Sequence, residues 1–205
     1  METDRLFENN RKWVSEKLGL DANYFKNLAK GQAPQYLYIG CSDSRVSAEA
    51  MMGAEPGELF VHRNIANIVP NTDLSAMSVI NYAVVHLKVN HIIVCGHYNC
   101  GGVHAAMKTS YLGVLNPWLR NIRDVYRMHK PELEKIEDEE NKFKHLVRLN
   151  VREQCINVLK TTEVRTAIME RGLRVHAWVF DIHTGKLIDL KLDFQSVIRN
   201  LKDLY

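Results

Sequence analysis

The chain has 205 residues, 46% of them hydrophobic, and its 27 basic residues against 24 acidic ones leave a formal net charge of +3. That is apolar material enough for one real core, while the dispersed charges lack the basic block that nucleic-acid and anionic-membrane binders need. The first ten residues carry no cationic-then-apolar leader and no apolar run reaches spanning length, so the expectation is a soluble, cytoplasmic protein with neither nucleic acid nor membrane as partner.

Residues 3 to 29 place Leu6, Trp13, Val14, Leu18, Tyr24, Phe25 and Leu28 at helical spacing, broken near Gly19-Leu20-Asp21. Two amphipathic helices are predicted. Because they precede the first strand they have no slot in a βαβ succession, and they are expected to pack outside the domain or on another subunit. Lys30 to Pro34 turns the chain into a strand at Tyr36-Leu-Tyr-Ile-Gly40, and Cys41, Asp43 and Arg45 follow at once. A short helical turn over Ala48 to Met52 is stopped by Glu55-Pro-Gly57, and Glu58 to His62 reads as the second strand.

The loop Arg63 to Asn71 is unusually apolar, as a pocket wall would be. A helix is predicted over Leu74 to Leu87, N-capped by Asp73, leading into the strand that starts at His91 and runs to Gly96. Gly101-Gly102 opens a helix to about Met107, and Pro117 suits the first turn of the next one, through Trp118, Ile122 and Tyr126. Pro131 to Asn141 reads as a solvated helix face or loop; Phe143 to Leu159 and Thr162 to Glu170 read as helices, the latter ended by Gly172. Leu173 to Phe180 and Lys186 to Leu192 form a hairpin around Asp181-Ile-His-Thr-Gly185, and a helix over Phe194 to Leu204 closes the chain.

The architecture expected is a single α/β domain over 1–205, with a helical arm at 1–30 and a core at 31–205. A mostly parallel central sheet, extended by an antiparallel C-terminal hairpin strand, is flanked by helices. Two strands in it end alike: each is an apolar run, then a glycine, then a metal-capable side chain, Cys41 in one and His97 in the other. Side by side in a parallel sheet, they emerge at the carboxyl edge where open α/β sheets place ligands, and Cys100 can close the same site. Two thiolates and an imidazole favour zinc, one ion per chain, and three protein ligands leave a tetrahedral position for water or substrate. Cys95, inside an apolar run, and Cys155, inside a helical pattern, read as core.

Zinc on two thiolates has its formal charge cancelled and acidifies water less than a three-histidine site does. Asp43 can compensate by accepting the proton of a zinc-bound hydroxide and aiming its lone pair, with Arg45 clamping the carboxylate and keeping it ionised. The alternative role for Asp43 is fourth zinc ligand, which shuts the site. An apolar surround of Phe60, Val61, Ile65, Ala66 and Val69 suits a small electrophile, carbon dioxide above all.

Cys41-Ser-Asp43-Ser-Arg45, Gly57-Glu-Leu-Phe-Val-His-Arg63-Asn-Ile-Ala-Asn67 and His97-Tyr-Asn-Cys100-Gly-Gly, in that order, resemble the signature set of the β-class carbonic anhydrases. The resemblance implies zinc on Cys41, His97 and Cys100, a catalytic dyad of Asp43 and Arg45, and reversible hydration of carbon dioxide to bicarbonate and a proton. It further implies substrate contacts from the Gln32 amide, the cleft aromatics Phe60 and Tyr82, and the Gly102 backbone amide, although spacing alone puts Tyr82 in the core beside Ile80 and Val84. It also implies a homo-oligomer, dimer or tetramer, with exchanged N-terminal helices. Some members bind inhibitory bicarbonate through a Trp, an Arg and a late-strand Tyr; here those positions resemble Tyr38, Arg63 and Phe180, which replaces an indole by a phenol and removes a hydroxyl.

His104 reads as structural or surface, and His62, His86, His91, His129, His145, His176 and His183 show no ligand spacing. Two other functions remain open at this level: hydrolysis of carbon disulfide or carbonyl sulfide on the same site, and a non-catalytic zinc-stabilised protein with Asp43 locked on the metal.

Overall fold

The computed structural model describes residues 3–202. The chain divides into two compact units, Met1–Ala33 and Pro34–Tyr205.

In the first unit the two predicted helices are present as α1 (Asp4–Leu20) and α2 (Tyr24–Leu28). The Asp21 carboxylate accepts from the Asn23 amide at 2.8 Å and turns the chain between them. Trp13 meets Phe25 edge-on at 5.2 Å and Tyr24 at 6.3 Å, so the unit is pinned by aromatic rings. No residue of α1 is buried, and Leu6 and Phe7 remain largely exposed.

The second unit is built on β1 (Tyr36–Cys41), α3 (Ala48–Met52), β2 (Leu59–Asn64), α4 (Leu74–Asn81), β3 (His91–His97), α5 (Gly101–Ala106), α6 (Leu115–Met128), α7 (Lys130–Leu133), α8 (Glu139–Leu159), α9 (Thr162–Arg171), β4 (Arg174–Asp181), β5 (Lys186–Asp189) and α10 (Phe194–Lys202). The sheet order is β2-β1-β3-β4-β5, with parallel pairing throughout except between β4 and β5. Residues 203 and 204 of the expected last helix lie outside the described residues.

Alternation sorts the strands by face. Leu37 and Ile39 of β1, Ile92 and Val94 of β3, and Ala177 and Val179 of β4 belong to the main core with Val147, Val151, Cys155 and Val158 of α8. Tyr38, Ile93 and Cys95 face the other way, into a smaller cluster with Ala48, Met51 and Met52 of α3 and with Trp178 of β4. Helix α8 crosses the sheet closely at Gly96, where an added Cβ would stand 2.6 Å from Val151 Cγ2. That glycine is therefore demanded by helix-sheet approach as well as by the chain's exit from the strand.

Three expected segments differ in detail. The helix predicted over 74–87 passes into a π-helical turn at Tyr82–His86, closed by Leu87 N–H on the Tyr82 carbonyl at 3.0 Å. Part of the 63–71 loop is strand, since β2 continues to Asn64, and the middle of the rest is interior: Ala66, Ile68 and Val69 are fully buried. That burial explains its apolar composition. The final strand stops at Asp189, whose carboxylate takes the Lys191 amide at 2.9 Å while Lys191 turns left-handed at φ 49°.

Gly96→Ala should lower the unfolding free energy by about 1–3 kcal/mol, by pushing β3 and Val151 apart. Urea denaturation checks this, and an unchanged midpoint would contradict the close crossing of α8.

Candidate metal centre and its carboxylate-guanidinium pair

The parallel register sets Gly40 opposite Cys95, so Cys41 leaves β1 beside the end of β3. Cys41, His97 and Cys100 thereby converge, their ligand atoms all within 4.8 Å of one another and all three residues buried. The two Sγ atoms stand 3.9 Å apart. Two sulfurs each about 2.3 Å from a tetrahedral zinc are about 3.8 Å apart, so the spacing fits.

The imidazole is prepared in the same sense. His97 is 1% exposed. Its Nδ1 donates to the Tyr98 carbonyl at 2.9 Å, which puts the proton there and leaves Nε2 with a lone pair. Nε2 is buried with no hydrogen-bond partner among the described residues. An orphaned acceptor beside two thiols is costly unless a cation takes it.

The two thiols are coupled across that contact, which favours the thiolate on Cys41 and the thiol on Cys100. Cys41 is pulled down to about 4, chiefly because Cys100 donates to it, against the opposing effect of burial, with the Asp43 and Ala66 amides adding. Cys100 is pushed up by its neighbouring sulfur and by burial, although the Gly102 and Val103 amides favour its thiolate. Amides aimed at both sulfurs suit thiolates at a metal. By contrast, burial lifts Cys95 to about 12, and burial together with the nearby Cys95 lifts Cys155 well above an ordinary thiol.

Asp43 does not join the three. Its Oδ1 accepts from Arg45 N at 3.0 Å and Nε at 2.9 Å, and its Oδ2 from Arg45 Nη2 at 2.7 Å. The guanidinium holds the carboxyl well below the usual carboxylate range. Oδ2 still lies 3.7 Å from His97 Nε2, next to the position a metal ligand must address.

The surrounding loop is held by groups that spacing did not mark. Asn150 Nδ2 donates to the Ala66 carbonyl at 3.0 Å, and Gln154 Oε1 accepts from Val69 N at 2.8 Å. Trp118 Nε1 reaches the Ile65 carbonyl at 2.9 Å. The two amides, four residues apart on the buried face of α8, were visible in the sequence as polar side chains on an apolar helix stripe. Gly102 packs under this loop, where a Cβ would meet Ile65 Cγ2 at 2.8 Å.

Of the other expected residues, Phe60 and Tyr82 form a tilted ring pair at 5.7 Å, and Tyr82 is 47% exposed, outside the core that spacing alone suggested. Gln32 is exposed and belongs to the first unit. Arg63 donates to the Cys41 and Asp43 carbonyls at 2.8 and 2.7 Å, shaping the ligand turn. Tyr38 is buried with its hydroxyl unpartnered among the described residues, and Phe180 packs in the cluster beneath α3.

A parallel sheet whose edge gathers two cysteines and a histidine, with a clamped carboxylate beside them, defines a class: metalloenzymes that activate water for attack on a small electrophile. The carbonic anhydrase family profile matches residues 36–187. A carbonic anhydrase of Emericella nidulans is 58% identical over 203 residues, covering 98% of this chain and 89% of the relative. The structure of the β-carbonic anhydrase CafA of Aspergillus fumigatus aligns with TM-score 0.95 at 35% identity, covering 100% of this chain and 99% of the other. One of two tetrameric β-carbonic anhydrases of Sordaria macrospora aligns with TM-score 0.90 at 42% identity, covering 93% and 98%. This chain belongs to the β-class carbonic anhydrase family, zinc enzymes that reversibly hydrate carbon dioxide.

In metal-free protein, iodoacetamide should modify Cys41 at a rate nearly constant between pH 6 and 8, because its thiolate is already formed there. An ordinary thiol would speed up about tenfold per pH unit over that range. Peptide mass spectrometry should also find Cys95 and Cys155 unmodified until the protein is unfolded.

Proposed function

We propose a division of labour within the site: Cys41, His97 and Cys100 hold the metal, while Asp43 and Arg45 serve the reaction without binding it. Zinc bound there supplies the Lewis acidity that makes a nucleophile of water at neutral pH. Asp43 Oδ2 accepts a hydrogen bond from the attacking oxygen, and so fixes which lone pair faces carbon dioxide. Arg45 keeps that carboxylate ionised and turned outward. The observation that carries this reading is the two-pronged Arg45 grip on both oxygens of Asp43, which supports the open state over one with the carboxylate on the metal.

Phe60 and Tyr82 give the substrate an apolar wall, with the Gly102 amide as donor to a bicarbonate oxygen in this reading. Gly102 carries a second duty, since its amide also points at Cys100 Sγ. Proton loss to buffer then completes the cycle.

Assembly into a homodimer or homotetramer through the arm at 1–30 belongs to the same proposal. Support comes from α1, whose Leu6 and Phe7 are 60% and 67% exposed. Paired apolar side chains of that size on a helix that buries none of its own residues are suited to a second copy of the chain.

Two measurements follow. In stopped-flow carbon dioxide hydration, Asp43→Ala should lose about a hundredfold or more in kcat while retaining zinc, whereas Cys41→Ser should lose or weaken the metal itself; equal zinc loss in both would contradict the division of roles. In light scattering on the full chain, Leu6→Glu with Phe7→Glu should reduce the assembly size. An unaltered mass would sink the arm as an interface.

A further inference from the structure

One contact reaches the dyad from an element that carries none of the signature residues. The turn between β4 and β5 is fixed by Asp181, whose Oδ1 accepts from His183 N at 3.0 Å and whose Oδ2 accepts from Thr184 Oγ1 at 2.9 Å. Gly185 supplies the left-handed step, φ 69°, that returns the chain into β5. The turn presents His183 to the ligand loop, with its Nε2 2.7 Å from Asn99 Nδ2. An amide nitrogen only donates, so Nε2 accepts and the ring proton sits on Nδ1.

Asn99 lies between the ligands His97 and Cys100 and adopts φ 59°, a left-handed conformation that asparagine tolerates better than most residues. Its backbone carbonyl accepts from Arg45 Nη2 at 3.3 Å. Arg45 in turn grips both oxygens of Asp43. Its side chain is 54% exposed, so water competes for the guanidinium. Among the described residues its side chain hydrogen-bonds to two groups that counter that competition, the Asp43 carboxylate and the Asn99 carbonyl. Loosening the second frees a long, rotamer-rich side chain to swing, and takes the carboxylate with it.

We propose that His183 is a positioning residue for the hydration reaction: by holding Asn99 it fixes the carbonyl on which Arg45 rests, and so the orientation of Asp43. This rests on the reading of Asp43 as the hydrogen-bond acceptor that orients the attacking oxygen. Among the described residues the His183 ring hydrogen-bonds to Asn99 and to none of the ligands, and it acts through two intermediaries.

His183→Ala should lower kcat about tenfold with zinc content and melting temperature unchanged. His183→Gln, whose Oε1 accepts the same N–H, should restore kcat to within about twofold of the parent. The Arg45 Nε–H resonance, followed by 15N NMR in zinc-loaded and zinc-free protein, should broaden in His183→Ala and recover in His183→Gln. Parent-like turnover with an unchanged Arg45 resonance overturns the proposal. So does a fall in melting temperature or zinc content that accounts for the loss, and so does failure of glutamine to rescue. Should Asp43→Asn keep full turnover, the reading of Asp43 is what fails, and the Arg45 resonance still decides whether His183 holds the guanidinium.

Discussion

The site depends on the parallel pairing of β1 with β3. Neither strand is special alone, since each is an apolar run with a glycine near its end. Hydrogen-bonded in register, with Tyr36 opposite His91 and Gly40 opposite Cys95, they deliver Cys41 and His97 to one edge. A shift of one residue would turn every side chain of one strand to the other face and separate the two ligands. Register is therefore secured by the core itself. Leu37, Ile39, Ile92 and Val94 are all fully buried on the face that the helices cover, and misalignment would expose them.

Much of this was readable before the structure, for a physical reason. A metal site assembled from strand ends needs soft side chains directly after buried runs, and that coincidence of Cys41, His97 and Cys100 is local enough to see in one dimension. The clamp of Asp43 by Arg45 spans two residues and is equally local. The sheet's parallel character followed from near-continuous apolar strands separated by helical spacing. Even the excess apolarity of the Arg63 to Asn71 loop was legible, although its cause, the burial of Ala66, Ile68 and Val69, has no signature within the loop.

What escaped were contacts whose partners lie far apart in sequence. Asn150 and Gln154 meet a loop more than eighty residues away, across 84 and 85 positions. His183 was set aside for lacking ligand spacing, yet its partner is Asn99, 84 residues earlier. Arg63, marked in the sequence only by its place in the resemblance, ties the carbonyls of Cys41 and Asp43. Each is a polar group satisfying another chain segment's backbone or amide, and such pairings are fixed by topology rather than by periodicity. The π turn at Tyr82 belongs here too, because helical spacing continues through it and hides the extra residue per turn.

The charge balance explains why the dyad is an ion pair rather than a lone acid. Two thiolates cancel the two charges of zinc, and Arg45 cancels Asp43, so the loaded centre is close to neutral. A lone carboxylate there would be drawn to the metal, since zinc accepts carboxylate oxygen readily. The competing pull is the bidentate guanidinium, which offers charge and geometry together and stays ionised at every working pH. Arg45 therefore sets the balance between two resting places for one side chain. Because the guanidinium is half exposed, its own anchorage decides how firmly that balance is held, and that anchorage is shared between the carboxylate it grips and the main chain of the loop bearing His97 and Cys100.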